Sequence, residues 1–185
     1  RTRVHHLVIL LQHYRRGVYA EMNGKRHLPL GQIRALQQSA NERGIFTILA
    51  IDHRDSLRQM IHPDDLMAVP ASKLSDIKTA VVGELGNAAS AILLDPVYGM
   101  PQAIAAGIYP RATGWISSLE AQGYVGDPRS RVTTLLPGWS VEKAKRLGAT
   151  GVKMLLFYHP ESAAAAQQHK VVQQVLNDCA SHDVP

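Results

Sequence analysis

Ile45-Phe-Thr-Ile-Leu-Ala-Ile-Asp-His-Arg-Asp-Ser-Leu-Arg58 is the stretch that decides the fold. Seven almost wholly apolar, partly β-branched residues run directly into an acid, an imidazole and a guanidinium. A continuous apolar run, unlike an alternating one, suits a strand covered on both faces, as in a parallel sheet wrapped by helices. Polar groups at the C-terminal end of such a strand stand where α/β folds carry their chemistry. The pattern recurs three times: Ala91 to Leu94 ends in Asp95-Pro96, Trp115 to Leu119 in Glu120, and Val152 to Phe157 in Tyr158-His159-Pro160. Four such strands predict an α/β fold, a partial (β/α) barrel of about four βα units. A complete eight-stranded barrel takes about 250 residues, whereas this chain has 185.

The intervening segments read as helices. Ile33, Leu36 and Ala40 predict an amphipathic helix over 30–43, stopped by Gly44 and able to cap the bottom of a barrel. Ser72 is placed to cap a helix whose apolar face is Leu74, Ile77, Val81 and Leu85. The 63–70 region reads as a loop, and a short helix is expected at 102–106, ended by Gly107. Residues 123–131 form a longer loop turning at Gly126-Asp127-Pro128. Ser140 caps a helix over 141–147, with Lys143, Lys145 and Arg146 near its C-terminus, where the helix dipole favours cations. A last helix runs from about 161 to 181, and Asp183-Val184-Pro185 leads toward a fifth strand.

The formal charge of +5 does not describe a nucleic-acid surface. Residues 1–26 carry six basic side chains against Glu21, so the remainder is neutral, with 14 of each sign. A basic face across the domain is what nucleic acid requires. Residues 1–21 show no period, and Met22-Asn23-Gly24-Lys25 is a plausible translation start. The expected organisation is therefore an upstream segment at 1–21 and a barrel portion at 22–185. Leu7 to Leu11 is too short to span a bilayer; no membrane partner and a cytoplasmic location are expected. Cys179, the one cysteine, excludes an intramolecular disulfide and a thiolate metal cage, and its spacing with Val172, Val175 and Leu176 suits a small buried hydrophobe.

Lys153 is the most informative polar residue. It lies inside the fourth apolar run, where an ammonium is costly without a partner. Desolvation lowers a lysine pKa and can make a nucleophile or proton carrier. Asp52, Asp95 and Glu120 are available as partners if the strand ends converge on one rim. A buried ion pair with no chemical role has the same signature. Asp52-His53-Arg54 offers an acid, a titratable base and a bidentate anion binder. Strand neighbours point to opposite faces, so the three meet one substrate only where the chain turns. The alternative is an Asp-capped helix start with solvated His and Arg. Gly148-Ala-Thr-Gly-Val-Lys153 lacks the adjacent Gly-Lys and following hydroxyl of a phosphate loop. No histidine pair has ligand spacing on one element, so no metal site is expected.

Five motifs in order then carry a resemblance: Ile-Asp-His-Arg-Asp-Ser-Leu-Arg (51–58), Leu-Leu-Asp-Pro-Val-Tyr-Gly (93–99), Ser-Leu-Glu-Ala-Gln-Gly-Tyr (118–124), Leu-Leu-Pro-Gly-Trp-Ser-Val-Glu-Lys (135–143) and Val-Lys-Met-Leu-Leu-Phe-Tyr (152–158). From about Ile33 to Pro185 the chain resembles the tagatose 1,6-bisphosphate aldolase family of carbohydrate metabolism, to which sulfofructose-phosphate aldolases are closely similar. The resemblance implies a TIM barrel and a cofactor-free, metal-free lyase, a class I aldolase that forms a lysine Schiff base with a ketose phosphate and releases glycerone phosphate and an aldehyde. It maps Asp52 onto the first-strand acid and Lys153 onto the fourth-strand active-site lysine, both catalytic, and places His53 where many members have glutamine; read from their own positions, His53, Arg54, Asp95 and Glu120 are the substrate-binding candidates. The family's acid–base glutamate and Schiff-base lysine, on strands five and six, have no counterpart up to Pro185. The resemblance is thus to the N-terminal half of an enzyme, a fragment expected to be inactive alone and open to homo-oligomerisation through its barrel edges. Two other readings stand beside it: a non-catalytic phosphosugar- or partner-binding remnant, and a metal-dependent aldolase or isomerase using His53 and His159.

Overall fold

A computed structural model describes residues 28–122, 127 and 130–185. The upstream segment at 1–21, Met22, and most of the expected 126–128 turn lie outside the described residues. Four short strands, β1 (Ile48–Ala50), β2 (Ala91–Leu94), β3 (Gly114–Ser118) and β4 (Gly151–Lys153), pair in chain order, all parallel. Helices join them: α1 (Leu30–Ser39) precedes β1, α2 (Asp55–Ile61) and α3 (Ala71–Leu85) lie between β1 and β2, α4 (Met100–Ala105) follows β2, α5 (Val141–Arg146) precedes β4 and α6 (Ala165–Ser181) follows it. This is the α/β arrangement expected of a partial (β/α) barrel.

The register separates two faces. Ile48, Ala91, Gly114 and, one step along, Leu93, Ile116, Gly151 and then Ser118 and Lys153 share one face. Leu49, Ile92, Leu94, Trp115 and Val152 point to the other and pack with Val82, Ala103, Val141, Ala144 and Val175 from the helices. Burying these side chains supplies the main driving force for the fold. The two faces are unequal. Ile48 is 40% exposed and Ala50 is also exposed. The expectation that the first strand is covered on both sides therefore fails for its inner face.

The helix α1 closes the N-terminal ends of the strands. Its buried residues are Ala35 and Ser39, both small, and the reason is proximity. A β-carbon on Gly114 would lie 2.8 Å from the Gln38 carbonyl oxygen and 2.9 Å from Ser39 Cα. The Ser39 hydroxyl is 2.7 Å from that of Thr150, and its carbonyl accepts from the Ser90 hydroxyl. At the far end of the sheet, the Val152 N–H donates to the Pro185 carbonyl, and Val184 is buried in the core. Pro185 thus lies alongside β4 where a fifth parallel strand would pair.

Several local expectations need correction. β1 and β4 are shorter than their apolar runs: β1 begins only at Ile48, and β4 ends at Lys153, so that Met154 to Phe157 lie beyond the strand. α1 stops at Ser39, four residues early, and Gly44 instead closes the following turn, its N–H donating to the Asn41 carbonyl. Ser72 is not a cap: Pro70 occupies that position, and the helix starts at Ala71. The buried stripe of α3 is Leu74, Lys78 and Val82, whereas Leu85 is exposed. The 63–70 loop contains a short 3-10 turn at Leu66–Ala68. α6 begins at Ala165, and Leu176 is exposed. Ser140 does cap α5, accepting from the Lys143 N–H. Cys179 is buried in the core, and burial, with Asp178 adding to it, pushes its thiol up to about 11. Among the described residues no helix is long and apolar enough to cross a membrane.

Candidate active site

The C-terminal ends of β1, β3 and β4 surround a cavity of about 550 Å³, within the size range of small-molecule sites. Asp52, Glu120 and Lys153 line it together with His53, Gln122 and Arg131. The Lys153 Nζ donates to Asp52 Oδ2 at 2.8 Å and to Glu120 Oε1 at 2.7 Å. β4 presents Lys153 on the inner face, beside Ser118 in register. Asp52 follows the end of β1 by two residues, and Glu120 follows the end of β3 by two. These three strands thus deliver their polar residues to the same rim, and an ammonium is clamped between two carboxylates.

Glu120 is 1% exposed and fully engaged. Its second oxygen accepts from the Leu155 N–H at 3.1 Å. An antiparallel bridge to Leu135 holds its backbone, flanked by hydrogen bonds from Ala121 to Thr134 and from Leu136 to Leu119. Lys153 keeps a quarter of its side chain exposed, toward the cavity. Burial works to lower its pKa, but the charges of Glu120 and then Asp52 outweigh it, and the net shift is upward. The expectation of a lysine made nucleophilic by desolvation is corrected: Lys153 is held protonated.

The Asp52-His53-Arg54 series is separated by a turn. β1 ends at Ala50, and Arg54 occupies the N-cap of α2 with φ −119° and ψ −86°. His53 stays at the cavity wall. Arg54 turns inward, is buried, and donates to the Glu120 carbonyl. It does not line the cavity, so its link to a ligand runs through Glu120. The helix start that the Asp residue was to cap does follow, but no side chain caps it.

Asp95 also departs from the expected cluster. It is fully buried and pairs with Lys78 of α3, itself fully buried. Its other oxygen accepts from the Val97 and Tyr98 N–H groups at 2.9 and 2.7 Å. It therefore shapes the turn after β2 and does not face the cavity. His159 receives a hydrogen bond from the Glu161 N–H and is not among the cavity-lining residues. Among the described residues no group of three or more His, Cys, Asp or Glu side chains is placed to hold a metal ion.

Two polar residues that matter to the site were not singled out by the sequence patterns. Lys78 is one; its signal was a lysine at i+4 between Leu74 and Val82. Gln168 of α6 is the other. It is buried, accepts from the Thr133 N–H at 3.1 Å, and donates to the Arg131 and Phe157 carbonyls at 3.0 and 2.9 Å. The Arg131 guanidinium lies 5.5 Å from the centroid of the Phe157 ring. One amide thus ties both loops that carry this part of the cavity wall.

Comparison with known proteins identifies the family. Residues 46–185 match the family described as DeoC/LacD family aldolase. The chain belongs to that aldolase family. Tagatose 1,6-diphosphate aldolase from Staphylococcus aureus strain JH9 is 30% identical over 156 residues, covering 83% of this chain and 47% of the relative. The enzyme of strain Newman gives the same figures. The chain spans about half the length of these curated relatives. Its fold is similar to the crystal structure of an archaeal fructose 1,6-bisphosphate aldolase, with a TM-score of 0.53 and 21% identity over 83% of this chain and 54% of that one.

Proposed function

We propose that this chain supplies the substrate-holding and carbonyl-polarising groups of a class I aldolase that cleaves a ketose bisphosphate of the tagatose type, giving glycerone phosphate and an aldehyde. The observation that carries this reading is the Lys153 ammonium, clamped by Asp52 and Glu120 yet open to the cavity, in a chain of the aldolase family. The printed name of the Staphylococcus aureus relatives supports the choice of sugar. In this reading residues 22–185 form the barrel portion, and residues 1–21 are not part of it.

The protonation of Lys153 defines its role. An amine attacks a carbonyl only through its free lone pair, and two carboxylates hold this one as an ammonium. Lys153 therefore acts as a charged donor to a ketose oxygen, strengthening as negative charge develops on that oxygen during carbon–carbon cleavage. Asp52 accepts from Lys153 and from a substrate hydroxyl. Glu120 sets the height of Lys153 over the cavity floor, and Arg54 fixes Glu120 through its carbonyl. His53 lies at the wall, in reach of a sugar hydroxyl. The imine forms on an amine other than Lys153, and no cofactor enters the scheme.

Borohydride reduction in the presence of tagatose 1,6-bisphosphate, followed by peptide mapping, tests the assignment. The protein is expected to bind the sugar, with affinity reduced about tenfold or more in both Asp52→Asn and Lys153→Met, and with no reduced adduct on Lys153. An adduct on Lys153, or binding indifferent to both substitutions, would overturn it.

A further inference from the structure

We infer that Lys78, in the helix layer and out of contact with the cavity, is a positioning residue for the cavity wall, acting through Asp95, Tyr98 and Arg58 on α2. The chain of contacts is continuous. The Lys78 ammonium is bound to Asp95 Oδ2, both side chains being fully buried. The remaining carboxylate oxygen of Asp95 accepts from the Val97 and Tyr98 N–H groups, which fixes the turn after β2 and the starting point of the Tyr98 ring. The Tyr98 hydroxyl accepts from Arg58 Nη2 at 3.4 Å, and the Arg58 guanidinium stands 5.2 Å from the Tyr98 ring centroid. Arg58 then grips both ends of the wall segment, Asp55 Oδ1 at 3.3 Å and the Val69 carbonyl at 3.2 Å. The Asp55 N–H donates to Gln122 Oε1 at 2.6 Å across the cavity mouth. Asp55, Ser56, Gln59 and Leu66, all within the gripped segment, line the cavity.

A merely stabilising role is a weak explanation of this pair. Two charges taken fully out of water cost more than a pair of apolar side chains of the same volume, and such pairs are a poor source of net stability. What a carboxylate at position 95 does that an apolar residue cannot is accept three hydrogen bonds at once, one from the helix layer and two from the turn. Lys78 is the only one of these partners that can hold the carboxylate from behind. Its burial at the middle of the α3 stripe puts the turn at a fixed distance from the helix. Charge adds a second link, because Lys78 also lies within electrostatic range of Asp52 and Arg54.

The inference that Lys78 sets the wall stands on these contacts; that the wall encloses a ketose-phosphate site rests on the proposed function. The test uses the full chain and three variants, Lys78→Met, Asp95→Asn and Lys78→Met/Asp95→Asn. Amide hydrogen exchange and calorimetric titration with tagatose 1,6-bisphosphate are measured on each. Lys78→Met is expected to speed exchange about tenfold or more over 55–69 and 95–98, with β4 and α6 changed less than about twofold, and to weaken sugar binding about tenfold at full folded population. The double variant removes both charges but leaves a side-chain amide oxygen at position 95 to accept from the turn. It is expected to recover exchange protection at 97–98, where the turn keeps its acceptor, while 55–69 stays loosened and the affinity stays reduced, because the link to the helix layer is absent. Uniform acceleration across the whole chain, or an unchanged wall in Lys78→Met, would overturn the positioning role. If Lys78→Met fails to fold, Asp95→Asn and the double variant decide the same question, since both lack the Lys78–Asp95 ion pair: protection at 55–69 equal to that of the unaltered chain in both would overturn it. Absence of sugar binding by the unaltered chain, together with the localised exchange pattern, would overturn the aldolase reading and leave the positioning role standing.

Discussion

Lys153 Nζ lies 2.7 Å from an oxygen of Glu120, a carboxylate from which water is almost wholly excluded. Neither residue is tolerable there alone. Replacing Lys153 by Met leaves Glu120 with the Leu155 N–H as the remaining donor to its carboxylate, and is expected to cost about 3 kcal/mol, the low end of the range for a broken buried pair because Lys153 is partly exposed. Adding Glu120→Gln should recover a clear part of that loss. Urea unfolding of the two variants measures both.

The two lysines are shifted in opposite directions, which gives a pH signature. Lys153 is shifted above the ordinary lysine value of 10.5, where Glu120 and Asp52 overcome burial. Its contribution is complete below 10.5 and is lost as pH rises through the higher folded value. Lys78 is shifted below 10.5, burial being the largest influence. Between its folded value and 10.5 the unfolded chain holds the extra proton, so this group makes stability rise with pH. The stability difference between the unaltered chain and Lys153→Met should shrink above pH 10.5. The corresponding difference for Lys78→Met should move in favour of the unaltered chain as pH climbs toward 10.5. Parallel curves for both variants would refute the assignment.

Ser118 faces the same side as Lys153, in register with it, yet its buried hydroxyl has no hydrogen-bond partner among the described residues. An unpaired buried hydroxyl is a cost, and its removal relieves the cost without opening a large cavity. Ser118→Ala is therefore expected to leave stability unchanged or raise it by up to about 1 kcal/mol. A loss of more than that in urea unfolding would show that the hydroxyl is satisfied in solution.

The strand order and the rim were legible because apolar runs ending in a polar residue report both burial and direction. β2 appears from Ala91 to Leu94 as its run reads, and Asp52, Glu120 and Lys153 meet as strand ends in a parallel sheet must. What periodicity missed is where a charged residue is the buried one. On α3 the apolar positions 74, 77, 81 and 85 suggest a face, but the face is centred on Lys78, since its partner Asp95 lies beneath the helix. Arg54 and Asp95 read as rim residues by position alone; side-chain direction after a strand end depends on a local turn that spacing does not encode. Gln168 gave no signal at all, because its partners are backbone groups 35 and 37 residues earlier and 11 residues earlier.

Gln168→Leu isolates that amide. The Thr133 N–H, buried with its residue, loses its acceptor, and the Arg131 and Phe157 carbonyls lose a shared donor. The expected cost is about 2 kcal/mol, with faster amide exchange confined to 130–135 and 155–159. Exchange that accelerates first in β2 or α4 would contradict the clamp.

The last prediction concerns the sheet itself. β1 pairs with β2 on one side and has no strand on its other side among the described residues. Its inner-face residues Ile48 and Ala50 are exposed, and Ile45 just before it is exposed as well. Unpaired backbone along an edge strand, next to exposed apolar side chains, is a template for pairing with another chain. The purified 185-residue polypeptide is therefore expected to self-associate, through the β1 edge of one copy, in a concentration-dependent way. A lysine on the inner face opposes that contact by forcing a charge into it, so Ile48→Lys should shift the species toward monomer. It should do so with little loss of folded-state stability, because position 48 is not part of the helix-facing core. Size-exclusion chromatography with light scattering, run across a roughly hundredfold range of concentration, reads the mass of each. A monomer at every concentration before substitution, or an oligomer indifferent to Ile48→Lys, would show that the edge is protected by some other means.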